Sequence, residues 1–341
     1  MTQLLAKSIR EILEDIKSLN TDTILVIADE DVWDIYQHQM AFEVEFADKN
    51  IHLFKAVAGE RTKSFFEFEA GVEFFLEKKI HRQAHLIVLG GGATSDFAGF
   101  VAASLLRGIS WSVIPTTLLS MVDASIGGKV AINSVFGKNL VGAFHKPKKV
   151  YFNTSFLHSL PAAELLSGQG ELLKYGFLSQ QIYDDIINEG PIDDIIMNCA
   201  EFKLNITEKD FKESGKRKYL NLGHTIGHAI EKYYTLSHGA SVILGMAVLF
   251  VIFGQNQFLD NLKLMIAKLG IKGVNIPWKE AGFDIEELFH FIEKDKKVLD
   301  MHTIELVMLK SIGAPYLLPM QLKDLKLTIK NNLVEVNNLE F

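Results

Sequence analysis

The chain predicts an α/β protein in two parts: a first half built on a parallel β-sheet with crossover helices, then a region that is mostly α-helical. Three observations carry this. Short aliphatic and β-branched runs at 23–28, 51–57 and 85–89 alternate with helical patterns at 62–79 and 94–106, a rhythm that indicates parallel strands joined by crossover helices. From about Pro161 the pattern turns helical almost throughout, with one break at Gly190-Pro191. The 341 residues also exceed the roughly 250–300 at which single cores stop growing. Domains are predicted at 1–158 and 159–341.

Taken in order, residues 1–17 (MTQLLAKSIREILEDIK) alternate charged with apolar positions. They predict an amphipathic helix and not a signal peptide, which needs an uninterrupted apolar core. The longest apolar run, 242–253, is shorter than the ~20 residues a membrane span requires, so no membrane partner is expected. With 48% hydrophobic and 23% charged residues, the composition is that of a globular protein with a large core. A net charge of −7 argues against a nucleic-acid partner, and an anionic ligand would need a local basic pocket. Cys199 is the single cysteine; it excludes an internal disulfide or a cysteine metal cluster and fits a reducing, cytoplasmic setting.

Gly90-Gly91-Gly92 follows an apolar strand and opens a helix that holds Asp96. Glycines at such a turn let backbone N–H groups approach a pyrophosphate, and the helix start adds partial positive charge. The spacing is not the full dinucleotide fingerprint, and a glycine-rich turn of this kind also serves strand-to-helix packing alone. The segment 107–139 then supplies basic groups, with Arg107, Lys129 and Lys138 spread among Pro115, Thr116, Thr117 and Gly127-Gly128. Lysines beside glycines allow backbone to close around a ligand with the ammonium pointing inward.

The densest cluster of chemistry is at 220–239. His224 and His228 are four residues apart, so on a helix both rings leave one face, and His238 follows closely in Ser237-His238-Gly239. Three gathered histidines suggest a metal, since zinc takes imidazole nitrogen and carboxylate oxygen and keeps three protein ligands in catalytic sites. A histidine pair on an apolar helix is equally a hydrogen-bonded core pair. Thr225 stands where a zinc protease carries its glutamate, which argues against that class.

The ordered runs 90–103 (GGGATSDFAGFVAA), 107–109, 115–133 (PTTLLSMVDASIGGKVAIN), 137–147, 170–176 (GELLKYG), 221–231 (NLGHTIGHAIE) and 237–239 together resemble the 3-dehydroquinate synthase family of sugar-phosphate cyclases. The resemblance implies a Rossmann-like N-terminal domain carrying NAD, a helical C-terminal domain carrying Zn2+ or Co2+, and a homodimer. It implies metal ligation by Glu171, His224 and His238, with His228 facing substrate. It further implies phosphate contacts from Lys129, Asn139 and Arg217, with Arg107 reaching across a subunit interface. Asp123, Lys174, Lys203, Asn221 and His228 would hold the substrate's hydroxyls and carboxylate, joined by Lys296 or Lys297. NAD would be met by Asp29, Asp31, Glu60, Lys63, the glycines 90–92, Asp96, Thr116, Thr117, Lys129 and Lys138, although Asp29 and Asp31 equally suit helix caps.

The implied reaction converts 3-deoxy-D-arabino-heptulosonate 7-phosphate into 3-dehydroquinate and phosphate. The C5 hydroxyl is oxidised transiently, phosphate leaves by β-elimination, C5 is reduced again, and the ring closes by an aldol step. The alternatives are a sibling cyclase of the 2-epi-5-epi-valiolone or 2-deoxy-scyllo-inosose synthase type, or a metal-dependent glycerol or alcohol dehydrogenase. One departure from the family pattern bears on the metal: Ala240-Ser241-Val242 stands where Glu-Ala-Val is usual, which predicts that His238 lacks a supporting carboxylate.

Overall fold

The computed structural model describes residues 1–42, 46, 48–213, 215–293 and 302–341. Its contacts divide the chain into two units, Met1–Leu160 with Lys203–Glu208, and Pro161–Phe202 with Lys209–Phe341.

The first unit is built on β1 (Gln3–Ala6), β2 (Thr23–Asp29), β3 (Asn50–Ala56), β4 (His85–Gly90), β5 (Ser110–Pro115) and β8 (Lys149–Phe152). These pair in the order β1-β8-β5-β4-β2-β3, all parallel. Every residue of β2 and β4 is buried, as expected of strands covered on both faces, and this is why they read as unbroken apolar runs. Helices α1 (Ile9–Lys17), α2 (Glu30–Met40), α3 (Phe65–Glu77) and α4 (Gly92–Ser104) complete the layers. A two-stranded ribbon, β6 (Lys129–Ser134) with β7 (Gly137–Phe144), pairs antiparallel. This is the Rossmann-like architecture that the sequence predicts.

Residues 1–17 do not form one helix. Ser8 and Glu11 make a reciprocal capping box that starts α1 at Ile9, and the residues before it extend as β1, in register Gln3↔Lys149. Asp15 then ties α1 to the sheet, accepting from Lys149 Nζ at 2.5 Å and Tyr151 Oη at 2.6 Å.

The second unit comprises α5 (Ala162–Leu178), α6 (Gln180–Ile187), α7 (Ile192–Lys209), α8 (His224–Tyr234), α9 (His238–Ile252), α10 (Asn256–Lys268), α11 (Ile285–Glu293), α12 (Leu322–Asn331) and α13 (Leu333–Asn337). Only the 203–208 part of α7 groups with the first unit. From Gly239 to its end α9 is buried all round, as a helix enclosed by others must be apolar on every face. The expectation of helix almost throughout is corrected here by β9 (Thr303–Leu309) and β10 (Pro315–Gln321), an antiparallel pair. Pro315 and Pro319 disguise β10 in the sequence; each lacks an N–H, which an outer strand tolerates. No helix among the described residues is long and apolar enough to cross a membrane.

Candidate metal centre and ligand-binding residues

Glycine contacts bring the predicted ligands together. A Cβ added at Gly170 would lie 2.3 Å from Gly239 O, and one at Gly239 would lie 2.2 Å from Leu166 O, so α5 and α9 pack backbone on backbone. Their neighbours Glu171 and His238 therefore meet. A second close approach, Gly245 against Gly223 O and Gly227 N at 2.2 and 2.6 Å from its notional Cβ, seats α8 on α9 and brings in His224. Any side chain at these crossings would spread the helices and separate the donors.

Glu171 Oε1 lies 3.1 Å from His224 Nε2 and 2.9 Å from His238 Nε2. The three donor atoms all fall within 4.8 Å of one another. His224 Nδ1 is 3.1 Å from the carbonyl oxygen of Leu222, and His238 Nδ1 is 3.1 Å from Glu231 Oε2. Each ring thus faces an oxygen acceptor on both sides. A neutral imidazole has a single N–H, so one contact of each neutral ring sets lone pair against lone pair, a clash that either a second proton or a bound cation removes. One carboxylate and two imidazoles are also the donor set of many three-ligand zinc sites, so the residues fit a divalent metal.

The electrostatics agree. Burial holds His224 well down, to about 4, against the opposing pull of Glu171, so its ring is neutral and offers a lone pair. Burial also lowers His238, but its bonds to Glu171 and Glu231 outweigh that and raise it to about 10. Burial pushes the Glu171 carboxyl up, yet the Lys174 ammonium, followed by His224 and His238, brings it well below the ordinary carboxylate range. A centre that keeps its carboxylate ionised and draws positive charge onto a histidine is one that accommodates a cation.

Lys174 joins this centre. Its ammonium pairs with Glu171 Oε2, with its side chain almost wholly buried, one turn along α5. This places its charge on a candidate metal ligand. His228 stands beside the centre, its ring centroid 5.2 Å from that of His224 and 6.2 Å from that of His238. The two-histidine ligand pair that spacing alone suggests, His224 with His228, is therefore not the set that converges on Glu171. Arg217 is buried and donates from Nη1 to Phe211 O at 2.9 Å, while Asn221 Nδ2 donates to Glu213 Oε1 at 3.2 Å. Lys296 and Lys297 lie outside the described residues.

The first unit holds the remaining predicted residues. Gly90, Gly91 and Gly92 form the β4–α4 turn, and a Cβ on each would lie 2.8, 2.9 and 2.9 Å from Thr94, Thr117 and Ala124 side chains; close packing alone already requires glycine there. Asp29 caps α2, accepting from the N–H groups of Asp31 and Val32, and its other oxygen accepts from Gly59 N and Thr94 Oγ1. Asp31 itself is exposed. Lys63, 3% exposed, bridges Asp96 Oδ2 at 2.6 Å and Asn139 Oδ1, and burial raises Asp96 to about 6 against the pull of Lys63. Glu60 joins this group through Asn133, whose side chain donates to it at 2.7 Å and accepts from Asn139 N. Thr116 is buried and Thr117 Oγ1 accepts from Ser120 N.

Asp123 lies in a single π-turn, Ser120–Ala124, a distortion frequent at functional sites. Lys203 Nζ is 2.9 Å from its carboxylate and donates to its carbonyl oxygen at 2.6 Å. Of the lysines of 107–139, Lys129 and Lys138 are exposed. Val130 and Ile132 take the buried side of β6, and strand alternation turns Lys129 outward. Arg107 is also exposed and sits at φ 68°, after Leu106 at φ 50°. Two successive left-handed residues with side chains store roughly 1–3 kcal/mol each.

Glu231 is the residue that sequence reasoning missed. It follows His228 by three positions and His224 by seven, so helical spacing alone sets all three on one face. The prediction that His238 lacks a carboxylate is overturned by it: the absence of an acid at Ala240-Ser241 is made good from α8.

Fold and donor set together define a class, an α/β chain with a candidate three-ligand metal centre in a helical unit. The model of the 3-dehydroquinate synthase N-terminal domain matches residues 53–167, and that of the C-terminal domain matches 168–298. The 3-dehydroquinate synthase of Staphylococcus epidermidis is 37% identical over 314 residues, covering 87% of this chain and 86% of its own. The chain belongs to the 3-dehydroquinate synthase family. Among solved structures, 2-deoxy-scyllo-inosose synthase complexed with carbaglucose-6-phosphate, NAD+ and Co2+ superposes with a TM-score of 0.81 at 24% identity, covering 97% of this chain and 96% of that one. The 2-epi-5-epi-valiolone synthase of Streptomyces hygroscopicus, with NAD+ and Zn2+ bound, gives 0.80 at 20% identity, covering 98% and 96%.

Proposed function

We propose that this chain is a phosphate-eliminating, cyclising lyase that converts 3-deoxy-D-arabino-heptulosonate 7-phosphate into 3-dehydroquinate, using NAD+ and a divalent metal. The observation that carries the reading is the convergence of Glu171, His224 and His238 in a chain of this family. When bound, the metal supplies Lewis-acid polarisation of a substrate oxygen, and NAD+ supplies a recyclable hydride acceptor.

The chain's own residues provide the rest. Glu171 and the two imidazoles would hold the metal, with Lys174 offsetting the negative charge of Glu171. His228, next to the donors, would bond a substrate hydroxyl or move its proton, since a neutral imidazole both donates and accepts. Lys129, Asn139 and Arg217, with Arg107, would bind the phosphate, for which charge-assisted bonds are the strong ones. Asp123, Lys203 and Asn221, with one of Lys296 and Lys297, would orient the ring. Lys63, Asp96, Glu60 and the turn at 90–92 would shape the NAD side, joined by Asp29, Asp31, Thr116, Thr117 and Lys138. Assembly as a homodimer belongs to the same proposal: Val135 and Phe136, at the tip of the β6–β7 ribbon, are 95% and 89% exposed, an apolar tip that a second copy would cover.

The test is phosphate release by the purified protein with NAD+ and Zn2+, offered the heptulosonate phosphate beside sedoheptulose 7-phosphate and glucose 6-phosphate. Preference for the heptulosonate is expected. Preference for either of the others would assign the chain to a sibling cyclase.

A further inference from the structure

His224 and His238 are held differently. His224 is buried, and its Nδ1 bonds a backbone carbonyl two residues back. His238 opens α9, its side chain is 29% exposed, and the Ser237 cap makes no side-chain bond to the helix. Packing constrains it less, so its orientation must come from a hydrogen bond. Ser241, one turn along, donates its hydroxyl to Ser237 O, and Ala240 has no polar side chain. The acceptor at His238 Nδ1 is Glu231 Oε2 at 3.1 Å.

We propose that Glu231 is a positioning residue: its carboxylate accepts the Nδ1–H of His238, fixing the ring plane so that Nε2 faces Glu171 and His224 and, with the metal bound in place of the Nε2 proton, gives it its lone pair. The inference rests on the metal-centre reading above. The charge of Glu231 also makes Nε2 a better donor, because a carboxylate on one imidazole nitrogen raises the basicity of the other. Glu231 reaches this position because α8 sets 224, 228 and 231 on one face and the Gly227–Gly245 crossing lays that face against the start of α9.

The experiment uses the full chain freed of metal by a chelator, with Zn2+ alone as the probe and affinity read by competition with a chromogenic chelator. The parent is expected to bind one Zn2+ per chain. Glu231→Ala should keep that stoichiometry with affinity lowered roughly 10- to 100-fold, the range for loss of such a supporting bond. Glu231→Gln, whose amide oxygen still accepts from Nδ1–H without the charge, should fall between, and the metal-free melting temperatures of all three should agree. Parent-like affinity in Glu231→Ala would overturn the proposal while leaving the metal centre standing. Complete loss of Zn2+ in both variants would make Glu231 a ligand instead, which also overturns it. A parent that binds no Zn2+ would remove the metal-centre reading itself.

Discussion

Gly170 and Gly239 touch backbone to backbone, with 2.3 Å between a notional Cβ on the first and the carbonyl oxygen of the second. The candidate donors Glu171 and His238 are the next residue and the preceding one, so the helix crossing and the metal centre are one feature. Gly170→Ala should force α5 and α9 apart. Overpacking of this kind costs about 1–3 kcal/mol or more, and chemical denaturation should record it together with weakened Zn2+ binding. An alanine variant with parent stability and parent affinity would show that the crossing does not set the donor geometry.

Metal binding and phosphate binding should separate by mutation. His238→Ala should lose Zn2+, whereas Lys129→Ala should retain it and lose roughly 10- to 100-fold in kcat/KM for phosphate release, the equivalent of about 1.5–3 kcal/mol for a hydrogen bond to a charged group. Metal analysis and phosphate release measured on both proteins would check this. Equal turnover by Lys129→Ala would take Lys129 out of the phosphate site, and full metal content in His238→Ala would take that histidine out of the ligand set.

Stability of the first unit should fall in mild acid because of His85. Its ring is buried at the start of β4, with Nε2 2.9 Å from Ser112 Oγ, and burial, reinforced by Lys149 and Lys148, lowers its pKa to about 4. The unfolded chain takes up this proton near pH 6.5 and the folded chain only near 4, so the stabilisation is present above 6.5 and is lost as pH falls through that window. The full effect is on the order of 3 kcal/mol. Denaturation series of the parent and His85→Gln between pH 7 and 4 should differ in slope; parallel curves would count against a neutral buried ring.

The parts of the fold that sequence reveals are those where one local rule decides. Strands β2 and β4 are covered on both faces, so their identity is carried by composition alone. β1 is hidden because four extended residues precede a capping box whose helix pattern absorbs them, and its strand character comes from pairing with β8, nearly 150 residues away. At the metal centre the three histidines are visible by spacing, but Glu171 is an ordinary helical glutamate until the resemblance singles it out. The Leu222 carbonyl, which fixes His224, has no sequence signal. Glu231 had one, in its helical spacing from His224 and His228.

The proposed function has the chain use NAD+ as a recycled cofactor together with a divalent metal. The most direct measurement follows phosphate and NADH together, with Zn2+ present and NAD+ far below the concentration of 3-deoxy-D-arabino-heptulosonate 7-phosphate. Many phosphates released per NAD+ with no build-up of NADH is the predicted result. NADH accumulating to the level of added NAD+, without phosphate release, would contradict the account and point to a metal-dependent alcohol dehydrogenase.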